Sequence, residues 1–257
     1  GTMGNPMSKT LIEAGHVVTV HDMRRESATN LCEMGANWAS NPRELAESSE
    51  VVFTSLPGPV EAEQVLTDPD NGILAGLKRG GAWIDTTTNS PTMIRKLAEI
   101  CKQRGIEILD SPVSGRIPNM TMMVGGDPVT FERVRPVFES FGSPQHLGPL
   151  DSGQVLKLLN NAMLMAHLRL AYDALELATT LGGEPDLARE VLLQGSGGSA
   201  AMRTMIKFAE LDMIDVRSML DKDFDHFREV ISGMTAGRTI DRLGAEPLDR
   251  LATEMLS

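Results

Sequence analysis

The chain has 257 residues, 41% of them hydrophobic and 23% charged, enough for a large core and for more than one domain. A formal net charge of −11 argues against nucleic acid and anionic membrane as partners, since both would repel it. No apolar run is long enough to span a bilayer, no signal peptide stands at Gly1, and Cys32 and Cys101 have neither metal spacing nor a disulfide framework, so a soluble, cytoplasmic protein without a metal is expected.

Residues Gly1 to Ala14 read as a helix entered through Gly-x-x-Gly and closed by Gly15-His16. Val17 to His21 is a short β-branched run ended by Asp22, and Glu26 to Met34 reads as helix again. Strands are expected at Val51 to Ser55, Gly81 to Ile84 and Ile106 to Asp110. Helices lie at Pro42 to Ser48, Val60 to Leu66 and Pro91 to Arg104, the last with proline in its first turn. Met120 to Val124 and Gln145 to Leu147 complete this half. Alternation of strand and helix predicts an α/β domain over residues 1–150, built on a doubly wound, Rossmann-type parallel sheet.

In such a sheet a ligand lies beyond the carboxyl ends of the strands. Those ends carry Asp22, Leu56-Pro57-Gly58, Asp85 to Thr88 and Asp110 to Gly115. Gly1 and Gly4 would let backbone approach a pyrophosphate resting on helix amides. Asp22 would take a ribose hydroxyl pair and repel a 2′-phosphate, which points to NAD. Arg24 and Arg25 offer the opposite charge, so NADP stays open. Each piece also has a plain structural reading: a turn glycine, a polar loop capping the Pro91 helix, a strand-ending turn. Read functionally, Thr86 to Thr88 would face the nicotinamide end. Ser114, with free backbone amides around it, would hold a carboxylate.

Asp151 to Gly183 reads as one long helix, capped by Asp151 or Ser152 and stopped by Gly182-Gly183. Leu and Met recur on nearly every face, which predicts a helix enclosed by protein, leading an all-helical domain over 151–257. Lys157, Asn160 and Asn161 interrupt this apolar rod, and Lys157 and Asn161 project from one face a turn apart. An ammonium stripped of water has its pKa lowered toward the range of acid–base work. The plainer alternative is a lysine whose tip reaches water and asparagines satisfied locally.

Taken in order, these motifs resemble the β-hydroxyacid dehydrogenase family, the group of 3-hydroxyisobutyrate dehydrogenase and tartronate semialdehyde reductase. Gly1-Thr-Met-Gly4-Asn-Pro-Met7 with Gly15-His16 is similar to its GLGxMGxxM…GH opening. Asp110-Ser-Pro-Val-Ser-Gly115 is similar to DAPVSGG, Met123-Val-Gly-Gly126 to MVGG, and Gly153-Gln-Val-Leu-Lys157-Leu-Leu-Asn-Asn161 to the catalytic GxxxKxxxN. Gly195-Ser-Gly-Gly-Ser199 resembles the GxGxS turn, and Lys222-Asp223 the KD pair near the nicotinamide.

The resemblance implies hydride transfer between a nicotinamide cofactor and a small β-hydroxy acid or its semialdehyde, with no metal. Lys157 would be the general acid/base, its pKa lowered by burial and by Lys222, and Asn161 would orient it and the substrate. Ser114 and Gly115 would bind the carboxylate, Thr88 and Lys222 would border the nicotinamide, and Gly1, Met3, Gly4, Asp22, Leu56 and Pro57 would hold the rest of the dinucleotide. A homodimer or homotetramer packed across the long helix is expected. An imine reductase-like enzyme or a non-catalytic dinucleotide-binding oligomerisation module are the competing readings, and Lys157 with Asn161 disfavours both. The family has a strand and a further glycine ahead of the position of Gly1, a glycine and a longer loop where Arg116 stands, and a longer closing helix pair than Thr235 to Gly244 allows. The protein is therefore expected to possess segments beyond these residues, and Arg116 to change substrate choice or to add a charge for a carboxylate.

Overall fold

Residues 1–203, 213–232 and 240–241 are described by the computed structural model, with backbone alone for 213–221. They form two compact units, Gly1–Lys157 and Leu158–Ser257. The first begins with α1 (Gly4–Glu13), which turns off at Gly15, where a φ of 87° suits glycine. Strand β1 (Thr19–Val20) pairs in parallel with β2 (Asn37–Trp38) across a 3-10 turn and α2 (Thr29–Glu33). Helix α3 (Pro42–Glu47) follows, its first turn capped by the Asn41 side chain, which accepts the Glu44 N–H.

The six-stranded sheet is then laid down. Strands β3 (Val51–Thr54), β4 (Ala82–Asp85) and β5 (Glu107–Asp110) are parallel and linked through α4 (Pro59–Thr67), α5 (Ile73–Gly76) and α6 (Pro91–Arg104). Next come β6 (Val113–Ser114), β7 (Met120–Gly126), α7 (Pro128–Glu139) and β8 (Gly142–Gly148). The parallel strands expected from the alternation are there, and beyond them the sheet turns back. Strand β7 runs antiparallel to β5 and β6 and parallel to β8. Only a short link without a helix joins Asp110 to Met120, too short to carry the chain back for a parallel crossover.

Strand β4 is buried throughout, as a strand covered on both faces should be. Ala82 and Ile84 face a cluster built from Met120, Met122 and Val124 of β7 and Phe131, Val134 and Phe138 of α7. Trp83 faces the other way, onto Leu66 of α4 and Leu97 and Cys101 of α6. Burial pushes the Cys101 thiol up to about 12, so it packs as an inert hydrophobe.

Helix α8 (Ser152–Thr180) opens at the end of the first unit and continues into the second. Gly182 ends it with φ 88°, and the Gly183 N–H donates to the Ala178 carbonyl at 2.8 Å. Helices α9 (Pro185–Gln194) and α10 (Met213–Ile231) follow, and Ser199 caps a further turn by accepting the Met202 N–H at 3.1 Å. Among the described residues every element after β8 is a helix. Leu158, Ala162 and Met165 pack with Phe224 and Phe227, and Leu168 and Ala171 with Ala201 and Met202.

Within one chain α8 is not enclosed on every face. Leu156, Met163, Leu170 and Leu177 are exposed at a seven-residue spacing, so one seam of α8 is left open. No helix among the described residues is long and apolar enough to cross a membrane. The closing stretch from Thr235 to Gly244 lies, apart from 240–241, outside the described residues.

Candidate active site

The strand ends of the first unit gather most of the residues singled out by the sequence. Gly4 opens α1 beside the loop after β3, where an added Cβ would stand 3.8 Å from Ser55 Cβ. Met3 packs half-buried on the sheet core, and Gly1 is exposed with open space at its Cα. Helix α1 has no side-chain cap and no acidic residue in its first turn. The Asn5 N–H donates to the Gly1 carbonyl at 3.0 Å and Pro6 has no N–H, so the helix start meets an anion chiefly through its dipole.

Asp22 follows β1. Its Oδ1 accepts the Arg24 N–H at 2.9 Å and its Oδ2 lies 3.0 Å from the Gly1 nitrogen. Burial raises this carboxyl, but the causes that lower it, the Arg24 amide foremost, leave the group below the ordinary carboxylate range, hence ionised. The Arg25 guanidinium lies over the Trp38 ring, 5.5 Å from its centroid.

The loops after β3 and β4 are tied to one another. The Leu56 N–H donates to Thr87 Oγ1 at 3.1 Å, and Thr86 Oγ1 donates to the Thr54 carbonyl at 2.6 Å. This fixes the backbone just ahead of Pro57 and Thr88; Thr88 itself is half-buried. Beneath them Asp85 is wholly buried, accepting from Thr54 Oγ1 at 2.9 Å, the Thr87 N–H at 3.1 Å and Asn89 Nδ2 at 3.1 Å. Burial drives its carboxyl up against the pull of those donors.

Beyond β5 the chain turns through Ser111-Pro112 into β6. Ser114 is half-buried there, and Gly115 takes φ 84° with Asn119 O only 3.0 Å from where a Cβ would be, so only glycine suits the position. Arg116 next to it is exposed. Lys157 reaches this segment from α8, its Nζ donating to the Val113 carbonyl at 2.9 Å. It is half-buried, not enclosed.

The start of α8 is capped differently from the sequence expectation. Asp151 adopts φ 77° and its carboxylate pairs with Arg95, so neither it nor Ser152 acts alone. Instead Asp110, wholly buried at the end of β5, accepts the Asp151 N–H on Oδ1 and the Gln154 N–H on Oδ2, each at 2.8 Å. Burial pushes the Asp110 carboxyl up to about 6 against those two amides. Gln154, also buried, was not anticipated, although a polar side chain beside Gly153 in an apolar helix was a signal for it.

In the second unit the Asn161 side chain is buried, its Nδ2 donating to Asp223 Oδ2 at 2.6 Å while its Oδ1 accepts Asn160 Nδ2 at 3.1 Å. Lys222 Nζ lies 3.8 Å from Asp223 Oδ1. Lys222 therefore stands beside a carboxylate and not as an isolated positive charge. Asp223, read from the sequence only as half of the KD pair, is the acceptor that holds the Asn161 side chain.

Two family models cover this chain. The NAD binding domain of 6-phosphogluconate dehydrogenase matches residues 1–155, and the NAD-binding region of NADP-dependent 3-hydroxyisobutyrate dehydrogenase matches residues 151–240. A 3-hydroxyisobutyrate dehydrogenase of Pseudomonas aeruginosa is 36% identical over 208 residues, 79% of this chain and 70% of that protein. The chain belongs to the β-hydroxyacid dehydrogenase family. An NAD-dependent L-serine dehydrogenase of the same organism is 34% identical over the same shares. A solved structure of Mycobacterium tuberculosis 3-hydroxyisobutyrate dehydrogenase with L-serine superposes with a TM-score of 0.81 at 27% identity, over 99% of this chain and 92% of that one. This β-hydroxyacid dehydrogenase is an oxidoreductase with a Rossmann-type domain that binds a nicotinamide cofactor. The site suits such a group: an uncapped helix start, small residues in front of it and an ionised carboxylate at the end of the next strand.

Proposed function

We propose that the protein transfers a hydride between a nicotinamide dinucleotide and a small β-hydroxy acid, or the matching semialdehyde, with Lys157 as general acid/base. The observation that carries this is the Lys157 amine seated on the Val113 carbonyl, directly before Ser114 and Gly115. A β-hydroxy acid presents a hydroxyl and a carboxylate a few bonds apart, and an amine next to an anion-binding turn answers both. The relatives named for 3-hydroxyisobutyrate and L-serine support that class of substrate.

The cofactor, when bound, accepts or supplies the hydride. In oxidation neutral Lys157 takes the hydroxyl proton; in reduction its ammonium polarises the carbonyl oxygen and returns the proton. Ser114 Oγ and the Gly115 N–H hold the carboxylate. Asn161, fixed by Asp223, orients the substrate. Gly1, Met3, Gly4, Asp22, Leu56 and Pro57 are assigned to the dinucleotide, and Thr88 and Lys222 to its nicotinamide end. NAD is the preferred form, because ionised Asp22 repels a 2′-phosphate.

Initial rates by nicotinamide absorbance, on a panel of β-hydroxy acids, semialdehydes and alcohols lacking a carboxylate, test the reading. Turnover is expected on the carboxylates alone, with NAD favoured over NADP by about tenfold or more, which needs only about 1.4 kcal/mol of repulsion. Equal turnover of carboxylate-free alcohols would sink it.

The open seam of α8 supports a second proposal, that two copies pair across this helix. Leu156, Met163, Leu170 and Leu177 repeat every seven residues, the spacing at which two helices keep one seam in contact. Light scattering is expected to report a multiple of the chain mass, and Leu170→Glu with Leu177→Glu to return it to the single chain. A wild-type monomer at micromolar concentration would remove this proposal.

A further inference from the structure

We propose that Asp110 and Gln154 are positioning residues for Lys157, together latching the first turn of α8 to the ends of β4 and β5. The inference rests on the reading of Lys157 as the acid/base group. Asp110 supplies one arm, its two oxygens taking the Asp151 and Gln154 amides at 2.8 Å each. These belong to the donors that a helix start leaves without an intrahelical partner. Gln154 supplies the other arm: its Oε1 accepts the Asn89 N–H and its Nε2 donates to the Thr87 carbonyl, both at 2.8 Å. Lys157 lies three residues beyond Gln154 on the same helix face.

The latch sits where the backbone is stripped of side chains. A Cβ on Gly125 of β7 would overlap Asp110 Oδ1, and one on Gly153 of α8 would overlap the Met123 carbonyl and stand 2.7 Å from Asp110 Oδ2. Helix, strand and carboxylate therefore meet in one arrangement only. Asp110 also begins the segment that supplies Val113, the acceptor of the Lys157 amine. One residue thus sets both the height of the amine and the carbonyl it rests on, and loosening it moves the amine relative to the turn at Ser114.

The latch has a titratable arm. Burial pushes the Asp110 carboxyl up to about 6. The groups around it are Asp151 on α8, paired with Arg95 of α6, then Asp85, its buried register partner on β4, Lys157 on α8, and His146 of β8, which contacts the Gly126 carbonyl of β7. A protonated Asp110 presents an O–H to an amide that needs an acceptor, so acid releases one bond of the latch.

Asp110→Asn and Gln154→Met test this in the reductive direction, where protonation of Lys157 favours turnover and cannot itself produce an acid limb. Both variants are expected to bind NADH as wild type does, with kcat lowered roughly 10- to 100-fold and KM little changed. Wild-type kcat is expected to fall as pH drops through about 6, and Asp110→Asn to lack that limb. Should Asp110→Asn fail to bind NADH, Gln154→Met decides the matter through its kcat. Wild-type kcat in the variants overturns the proposal, as does a limb that persists without the Asp110 carboxyl. If Lys157→Ala keeps wild-type turnover, the underlying reading fails; if it is inactive while both latch variants turn over normally, only the latch fails.

Discussion

Lys157→Ala is expected to lower kcat about 10²- to 10⁴-fold while leaving dinucleotide affinity unchanged. The direction follows from where the amine sits. It is held on the Val113 carbonyl beside the Ser114–Gly115 turn, while the residues assigned to the dinucleotide lie at α1, Asp22 and the loops after β3 and β4. Removing the amine leaves a carbonyl that water can satisfy, so the fold should survive and NADH should still bind. Lys157→Arg separates charge from proton transfer. Guanidinium keeps the positive charge but does not give up its proton in a protein, so oxidation of the hydroxy acid should fail as fully as with alanine. Stopped-flow measurement of the hydride step, with NADH titrated separately by fluorescence, checks both variants. Full oxidation by Lys157→Arg would show that charge alone suffices and would remove the proton-transfer role.

The motifs behind the family resemblance were legible in the sequence and parts of the scaffold were not, for reasons visible in particular residues. Asp110 to Gly115 and Gly153 to Asn161 are contiguous runs, and the turn or helix that displays them is local, so they could be read directly. The cap on α8 could not, because Asp110 lies 41 residues before the Asp151 amide it accepts and only the fold brings them together. Asp151 looked like a cap and instead bridges to Arg95. Strands β2 and β6 have two residues each, too few for any alternation to show. Helix α7 went unread because Pro136 and four β-branched residues argue against a helix, while Phe131, Val134 and Phe138 on one face overrule them by burial. The turn of β7 against β5 followed from the short link after Asp110, a signal outweighed by the regular alternation before it.

Gly153→Ala is expected to destabilise the protein by about 3 kcal/mol, although local propensity argues the reverse. Alanine is better than glycine by roughly 1 kcal/mol inside a helix, and Gly153 is in the first turn of a 29-residue one. At this position the new Cβ would overlap the Met123 carbonyl and press on Asp110 Oδ2, so α8 must back away from β7. Overpacking against backbone costs about 1–3 kcal/mol, and loss of a buried charged hydrogen bond adds about 1.5–3 kcal/mol. Either term exceeds the gain in propensity. Gly182→Ala is the control: φ is 88° but nothing lies within 4 Å, so only backbone strain of about 1 kcal/mol is expected. Urea unfolding should show a lower midpoint for Gly153→Ala at unchanged m, well below that of Gly182→Ala. A Gly153→Ala protein as stable as wild type would mean that the helix start is free to shift, and with it the amine whose position the proposed chemistry needs.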